Sequence, residues 1–152
     1  MPESWTTRLT RWAFNLNPTY WSTGARISYI AEDWSEIRIR LPLSWRTRNY
    51  VGTIFGGAMY AAVDPVYMIM LIKILGPSYT VWDKAASIRF RKPATSALAA
   101  RFVVDADVVA AVREELRHSP KLDRVFTVEL VGPDGTVHAS VEKTLHISLR
   151  EA

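Results

Sequence analysis

One apolar segment, residues 53–75, constrains the fold of this chain more than any other feature of its sequence. Its only charged side chains are Asp64 and Lys73. A surface helix carries a polar face opposite its apolar stripe, and no such face exists here. The segment begins near a glycine pair, Gly56 and Gly57, and a Gly-Pro step follows it. This pattern predicts a long helix that other elements must enclose.

The length of the same segment also permits a membrane span, which needs roughly 20 apolar residues. Two features count against a span. The glycine pair opens the segment, and Asp64-Pro65 interrupts its centre, where a carboxylate in hydrocarbon is costly. The chain has no second such segment, so we expect a helix wrapped by a sheet and no stable membrane insertion.

Much of the remaining chain alternates apolar and polar residues, which is the period of half-buried strands. The predicted strands are residues 26–30, 37–41, 87–91, 98–104, 126–130 and 137–149. Residues 132–135, Gly-Pro-Asp-Gly, join the last two as a hairpin. Residues 107–117, capped by Asp107, predict a short connecting helix. We therefore predict an α+β fold, a single domain over residues 1–152 with an antiparallel sheet around one long helix.

A short amphipathic helix is predicted near the amino terminus, after a Ser4 cap. Its apolar stripe has helical spacing and consists of Trp5, Leu9, Trp12, Ala13 and Leu16. Asn17-Pro18 ends the helix. Such a stripe usually packs on its own domain or on a partner subunit, and we favour that interpretation over a helix lying on a membrane surface.

Composition excludes several kinds of site. The chain has no cysteine, and its three histidines, His118, His138 and His146, are not spaced as metal ligands, so we predict neither disulfides nor a metal. The sequence begins without a recognisable secretory signal, which favours a cytoplasmic location. A net charge of +4 comes from dispersed basic residues. This dispersion favours a small anionic ligand, such as a coenzyme A ester, over nucleic acid.

The start of the long helix has the chemistry of an oxyanion site. Backbone N–H groups in the first helical turn lack intrahelical partners, and a Gly-Gly pair lets a ligand approach them closely. Gly56, Gly57 and Ala58 supply these amides, and the helix dipole adds positive potential. In enzymes, one such donor stabilises an oxyanion by roughly 3 to 4 kcal/mol.

Asp64 stands near the middle of this apolar helix, where an uncompensated carboxylate is expensive. A catalytic role is one explanation, and we favour it. The alternative is structural: Asp64-Pro65 marks a helix kink, and the carboxylate bonds a neighbour such as Tyr60, Tyr67 or Lys84.

These residues also form a recognisable pattern. Residues 49–57, Asn-Tyr-Val-Gly-Thr-Ile-Phe-Gly-Gly, followed by Asp64 resemble the signature of hotdog-fold thioesterases of the phenylacetate-pathway type. Together with Val-Trp-Asp-Lys at 81–84 and Arg-Lys-Pro at 91–93, the string more closely resembles a bacterial branch of that superfamily, domain of unknown function family 4442. This resemblance extends over nearly the whole chain.

The resemblance implies a hotdog fold, subunits joined edge to edge as a homodimer or a dimer of dimers, and active sites between subunits. It implies that Asp64 acts as general base or nucleophile. The chemistry of the helix start makes Gly57 the catalytic oxyanion donor. The resemblance also implies that Asn49 orients the water or the carbonyl, although a loop asparagine that caps the following helix is an equal alternative. Phe55 departs from the phenylacetate-type pattern, which has a histidine there, and this departure weakens the case for fast turnover.

Several further residues are candidate ligand contacts. On the strand after the helix, Trp82 and Lys84 should share one face and Asp83, which we interpret as structural, the other. Lys84 is a candidate partner for Asp64 or for a ligand phosphate. The candidate contacts for the phosphates of coenzyme A are Arg89, Arg91 and Lys92. For all four residues, a solvent-exposed side chain without a ligand is an open alternative. The remaining expected substrate contacts are Phe55, Gly56, Ala58 and Tyr60, with Met59, Met68 and Tyr60 lining an acyl tunnel.

The sequence therefore predicts an acyl-CoA thioesterase with no cofactor other than the coenzyme A of its substrate. A non-catalytic acyl-CoA or fatty-acid binding protein is the alternative, motivated by Phe55. A dehydratase of the same fold would need a histidine near the helix start, and none of the three lies there.

Overall fold

A computed structural model describes residues 2–150 of the chain. The helices are α1 (Trp5–Leu16), α2 (Pro18–Ser22), α3 (Gly56–Val63), α4 (Val66–Leu75) and α5 (Ala106–His118). The strands are β1 (Arg26–Ile30), β2 (Glu36–Leu41), β3 (Tyr79–Phe90), β4 (Leu98–Val103), β5 (Lys121–Val131) and β6 (Val137–Leu149).

The six strands form one antiparallel sheet in the order β1-β2-β4-β5-β6-β3. The inward positions of the strands alternate with exposed ones and pack against α3 and α4. One sheet therefore encloses one long helix, which confirms the predicted α+β hotdog fold. β3 forms one end of the sheet, so its outer edge has no neighbouring strand within residues 2–150.

The central helix is divided at Asp64-Pro65, between α3 and α4. Proline has no N–H and removes one helical hydrogen bond, yet both residues keep right-handed helical dihedrals, so the axis continues. Side chains satisfy two carbonyls near the break: Tyr20 Oη donates to Ala62 O at 2.9 Å, and Lys143 Nζ donates to Asp64 O at 2.8 Å. Gly76, at a φ of 90°, ends α4.

Residues Gly56–Leu75 are the one stretch, among the residues described, that is long and apolar enough to cross a membrane. Half of its most apolar 18-residue window is buried inside the protein. The inner side of this helix includes Ala62, Val63, Met70 and Leu71, which are fully buried against the sheet. The segment is thus the core helix of the hotdog fold.

Helix α1 begins where the sequence predicts, since Ser4 and Thr7 form a reciprocal capping box. Its apolar stripe, however, does not pack on its own domain. The only buried residue of α1 is Thr7, and Asn15 holds the helix to β1 through two hydrogen bonds with Ile27. The stripe faces away from the domain, because the opposite side of α1, with Thr7, Phe14 and Asn15, makes the contacts that fix the helix.

The connecting helix and the hairpin are also present. The N-cap position of α5 is Asp105, whose side chain makes no capping hydrogen bond, and Asp107, the predicted cap, lies in the first turn. β5 and β6 pair along their whole length, and Gly135, at a φ of 83°, completes the turn between them.

Candidate functional site

A buried ammonium group is the centre of the candidate site. Lys143 of β6 is fully buried, and its Nζ donates to Asp64 Oδ1 at 2.6 Å and to Asp64 O at 2.8 Å. The same Nζ lies 2.9 Å from Asp83 Oδ1 of β3. Burial alone would lower the pKa of Lys143, but the interactions with the two carboxylates outweigh it and raise that pKa above its usual value. The lysine is therefore charged and fixes Asp64 in place.

Asp64 has a second partner, Tyr60, one helical turn earlier. Tyr60 Oη donates to Asp64 Oδ1 at 2.8 Å. Burial and the adjacent Asp64 carboxylate raise the pKa of Tyr60, so its phenol remains a donor. The Asp64 side chain is nevertheless 43% exposed. Only its Oδ1 accepts these bonds, which leaves Oδ2 free to accept a proton from a water or to meet a substrate.

Asp83 approaches the cluster from β3. Its contact with Lys143 is electrostatic rather than a well-aligned hydrogen bond, because the buried Oδ1 of Asp83 has no hydrogen-bond partner of suitable angle. The ammonium thus lies between two carboxylates on different elements. Within residues 2–150 no cluster of His, Cys, Asp and Glu has the composition of a metal site.

The first backbone amides of α3 have no hydrogen-bond acceptor within the helix. Phe55 is the N-cap, and its side chain makes no capping hydrogen bond. The N–H groups of Gly56, Gly57 and Ala58 consequently have no acceptor among the residues described. Two bonds anchor the loop before the helix: Phe55 N donates to Thr47 O at 2.7 Å, and Ile54 N donates to Ala94 O at 2.9 Å.

Aromatic rings occupy the space beside the two glycines. A Cβ on Gly57 would lie 2.4 Å from the Phe55 ring, and a Cβ on Gly56 would lie 2.8 Å from the ring of Phe90 on β3. Both rings are more than half exposed. The glycines therefore accommodate aromatic rings in this chain, and a ligand reaching the amides must pass or displace Phe55.

Asn49 belongs to the loop before α3. Its Oδ1 accepts from Thr53 N at 2.9 Å and from Val51 N at 3.1 Å, and its Nδ2 donates to Thr53 Oγ1 at 2.8 Å. Its amide shapes this turn and caps no helix. Any contact of Asn49 with a substrate would compete with these bonds.

The basic residues predicted as ligand contacts lie apart from the Asp64 cluster. Lys84 pairs with exposed Asp123 at 2.5 Å, so it does not reach Asp64. Trp82 shares that outer face, stacked on His146, while Asp83 faces inward to Lys143. Arg89, Arg91 and Lys92 are exposed along the end of β3, and Arg91 Nε donates to Ser140 Oγ at 3.0 Å.

A cavity of about 280 Å³ opens beside Asp64. Its walls are mainly apolar and come from α1, α2, α3 and the break before α4; they include Phe14, Tyr20, Ala61 and Pro65. The residues expected to line an acyl tunnel do not border this cavity, and that lining stays a prediction. Met59 is buried in the core, and Met68 packs against the core without lining the cavity.

Lys143 is the functional residue that the sequence interpretation missed. The strand pattern contained the signal for it. The buried positions of β6 include Ala139, Val141, Leu145 and Ile147, and Lys143 occupies the one inward position between them that carries a charge. A charged residue in the inward register of a strand requires a buried counter-charge.

The comparisons agree with this architecture. The family model "Domain of unknown function (DUF4442)" matches residues 6–147. No sequence among curated proteins matches the chain. A protein of unknown function from Pseudomonas aeruginosa, described as a probable thioesterase, has a similar structure, with a TM-score of 0.83, 20% identity and 99% of each chain covered.

Two further solved structures have the same fold. One is a protein of unknown function from Chlorobaculum tepidum, with a TM-score of 0.74 and 14% identity over 95% of each chain. The other is a thioesterase from Haemophilus influenzae, with a TM-score of 0.70 and 16% identity over 97% of this chain and 93% of its own. At these identities the similarity establishes the hotdog fold.

Proposed function

The chain belongs to the family of domains of unknown function DUF4442, and from the site in its hotdog fold we propose that it hydrolyses acyl-CoA thioesters. The observation that carries the proposal is the fixed, half-exposed Asp64 carboxylate beside an apolar cavity. One of the similar structures is a thioesterase, which supports the same reaction class.

In this reaction Asp64 takes a proton from water, and the resulting hydroxide attacks the thioester carbonyl. Lys143 and Tyr60 hold Oδ1, so Oδ2 is the atom that faces the water. The tetrahedral intermediate carries an oxyanion, which the amides of Gly57 and Ala58 stabilise. The intermediate collapses as its C–S bond breaks, and protonated Asp64 returns its proton to the departing coenzyme A thiolate. The acyl chain lies in the cavity beside Asp64.

One chain cannot bring these two parts to the same carbonyl. Gly57 and Asp64 are seven residues apart on one helix, a rise of roughly 10 Å. The proposed site therefore combines Asp64 of one subunit with the α3 amides of another, in a homodimer. The open edge of β3 and the exposed rings of Phe55 and Phe90 beside it support this assembly. In the dimer, the proposed contacts for the phosphates of coenzyme A are Arg89, Arg91 and Lys92. The proposed cellular location of the protein is the cytoplasm.

The test is a thiol-release assay with short, long and aromatic acyl-CoA esters. We expect Asp64→Asn to lower kcat at least about a hundredfold, since it removes the base and keeps the shape. Asp107→Asn, on the exposed face of α5, makes the same chemical change elsewhere and should leave kcat unaltered. Equal turnover by the wild type and Asp64→Asn would overturn the proposal.

A complementation experiment tests the shared site. Asp64→Asn and Gly57→Val are each expected to be inactive, because each substitution damages the part of the site that one of the two subunits supplies. Coexpression in equal amounts should restore about a quarter of wild-type activity, because half of the dimers then hold one intact site of two. Activity that stays at the level of the separate variants would rule out a site formed between subunits.

A non-catalytic acyl-CoA binding protein is the second candidate. The Phe55 ring beside Gly57 favours it, because the ring restricts access to the oxyanion amides and supplies no hydrogen-bond donor. Saturable binding of an acyl-CoA in isothermal titration, with no thiol release over hours, would identify this function.

A further inference from the structure

An exposed aromatic surface lies on the side of the molecule formed by α1 and α2. We call it the tryptophan face, and it consists of Trp5, Leu9, Trp12 and Leu16 of α1, Trp21 of α2, and Trp45. The exposure of these side chains runs from 50% for Trp21 to 85% for Trp45. Four of the six tryptophans of the chain lie on this one face. Exposed apolar side chains are normally scattered singly over a protein surface, so a cluster of them indicates an interaction surface.

Arginines surround these aromatic side chains. Trp12, Leu16, Trp21 and Trp45 border a groove of about 810 Å³, and its other walls include Arg11, Arg26, Arg40 and Arg46. Arg46 lies over the Trp21 ring, with its guanidinium carbon 4.2 Å from the ring centre. The arrangement places cations directly beside the apolar side chains.

Two of these arginines lack a neighbouring counter-charge among the residues described. Arg26 of β1 and Arg40 of β2 are directly opposite each other in the register, and both are exposed. Like charges placed directly opposite are unfavourable in a sheet. No carboxylate of residues 2–150 forms an ion pair with either side chain. Their position favours an external anion.

Within residues 2–150, Glu3 is the acid that forms ion pairs with α1, and it is already neutralised. Arg11 Nε donates to Glu3 Oε1 at 2.7 Å, and Arg8 lies 3.8 Å from its other oxygen. The hydrogen bond from Arg11 lowers the pKa of Glu3 despite an opposing effect of burial. The face therefore holds a surplus of positive charge.

We propose that the tryptophan face binds the surface of an anionic lipid bilayer. Tryptophan favours the interface between headgroups and acyl chains, and arginine beside it binds lipid phosphates. An amphipathic helix with both features lies in the plane of that interface. A second copy of this chain is a poor occupant, because a symmetric contact would bring Arg26, Arg40 and Arg46 against the same cations.

The same two helices carry residues of the cavity beside Asp64, because Phe14 of α1 and Tyr20 of α2 line that cavity. The docking inference does not depend on hydrolysis, because vesicle binding is measured without turnover. It concerns adsorption to a surface and needs no inserted segment.

The experiment is cosedimentation of the full chain with vesicles of phosphatidylcholine alone and of phosphatidylcholine with one quarter phosphatidylglycerol. We expect binding to the anionic vesicles, weakened as salt rises from about 20 to 500 mM because screening shortens the reach of the charges. Tryptophan emission should shift to the blue on binding. No binding to anionic vesicles at low salt would overturn the proposal.

Variants separate the contribution of the tryptophans to vesicle binding from that of the arginines. Trp12→Ala with Trp45→Ala should weaken partitioning about tenfold or more, while Trp82→Ala, an exposed tryptophan on β3, should not. Arg26→Gln with Arg40→Gln should weaken it roughly 30-fold. Arg113→Gln with Arg117→Gln on α5 removes the same charge and should weaken it less. All of these side chains are exposed, so the variants should fold, and circular dichroism checks this.

Two results would contradict the inference. Equal vesicle binding by the wild type and both face variants would show that this surface is not the contact. The second result combines two measurements: the wild type does not bind vesicles, and Trp12→Ala with Trp45→Ala dissociates an oligomer in sedimentation velocity. The tryptophan face would then be an interface between copies of the chain.

Discussion

Lys143 and Asp64, 79 positions apart in the chain, are joined by two hydrogen bonds from one ammonium group to a carboxylate and to the carbonyl of the same residue. The pair connects β6 to the break in the central helix. It both satisfies a backbone carbonyl near Pro65 and orients the one carboxylate of that helix. Stability and the proposed chemistry therefore depend on the same contact.

Replacing Lys143 by methionine should destabilise the fold. The change leaves Asp64 Oδ1, Asp64 O and buried Asp83 Oδ1 without their common partner, and breaking a buried ion pair in this way costs about 3 kcal/mol or more. Lys84→Met, which breaks the exposed pair with Asp123, should cost less than about 1 kcal/mol. Urea unfolding followed by circular dichroism measures both. Equal losses for the two variants would show that the buried cluster contributes no special stability.

Acid stability should depend on Glu36, which lies on β2. The side-chain hydrogen bonds from Arg101, first, and from Arg38 lower the pKa of Glu36 from 4.5 to about 2. A lowered pKa in the folded state means that the carboxylate stabilises the fold above its ordinary pKa. This contribution is lost as the pH falls through about 2. We expect Glu36→Gln to flatten the fall of Tm between pH 4.5 and 2, and parallel Tm curves would refute this.

The elements of this fold were predictable because they depend on local pattern. The uninterrupted apolar run predicts an enclosed helix, the alternation around Ile37 and Ile39 predicts a strand, and the Gly-Pro-Asp-Gly turn predicts the hairpin. Each pattern reports on residues a few positions apart. The resemblance of residues 49–64 to a known signature then identifies which sheet-and-helix fold is formed.

The contacts of the candidate site were less predictable because they are long-range. Lys84, next to Asp83 in sequence, was a candidate partner for Asp64, but the strand alternation directs it outward to Asp123. The residue that reaches Asp64 comes from β6 and faces inward. The stripe on α1 shows a related limit. Helical spacing identifies an apolar face, yet only the folded structure shows that Trp12 and Trp5 are uncovered.

Gly24 should not tolerate a side chain. Its φ is +83°, and a Cβ would lie 2.3 Å from Cγ2 of buried Thr47, whose carbonyl holds Phe55 at the start of α3. Strain and overpacking together predict a loss of about 3 kcal/mol for Gly24→Ala. Gly52, at a φ of +87° with open space around it, is the matched control, and Gly52→Ala should lose only about 1 kcal/mol. Equal losses in urea unfolding would show that the contact with Thr47 is unimportant.

Phe55 should limit the rate of the proposed hydrolysis. Its ring lies beside Gly57 and supplies no donor, whereas the phenylacetate-type thioesterases that the motif resembles have a histidine there. We expect Phe55→His to raise kcat about tenfold or more in the thiol-release assay, because a new donor can stabilise the developing oxyanion. Phe55→Ala opens the same space without a donor, so it separates access from hydrogen bonding. If alanine accelerates the reaction as much as histidine does, access to the Gly57 amide controls the rate. If neither does, Phe55 does not limit the reaction.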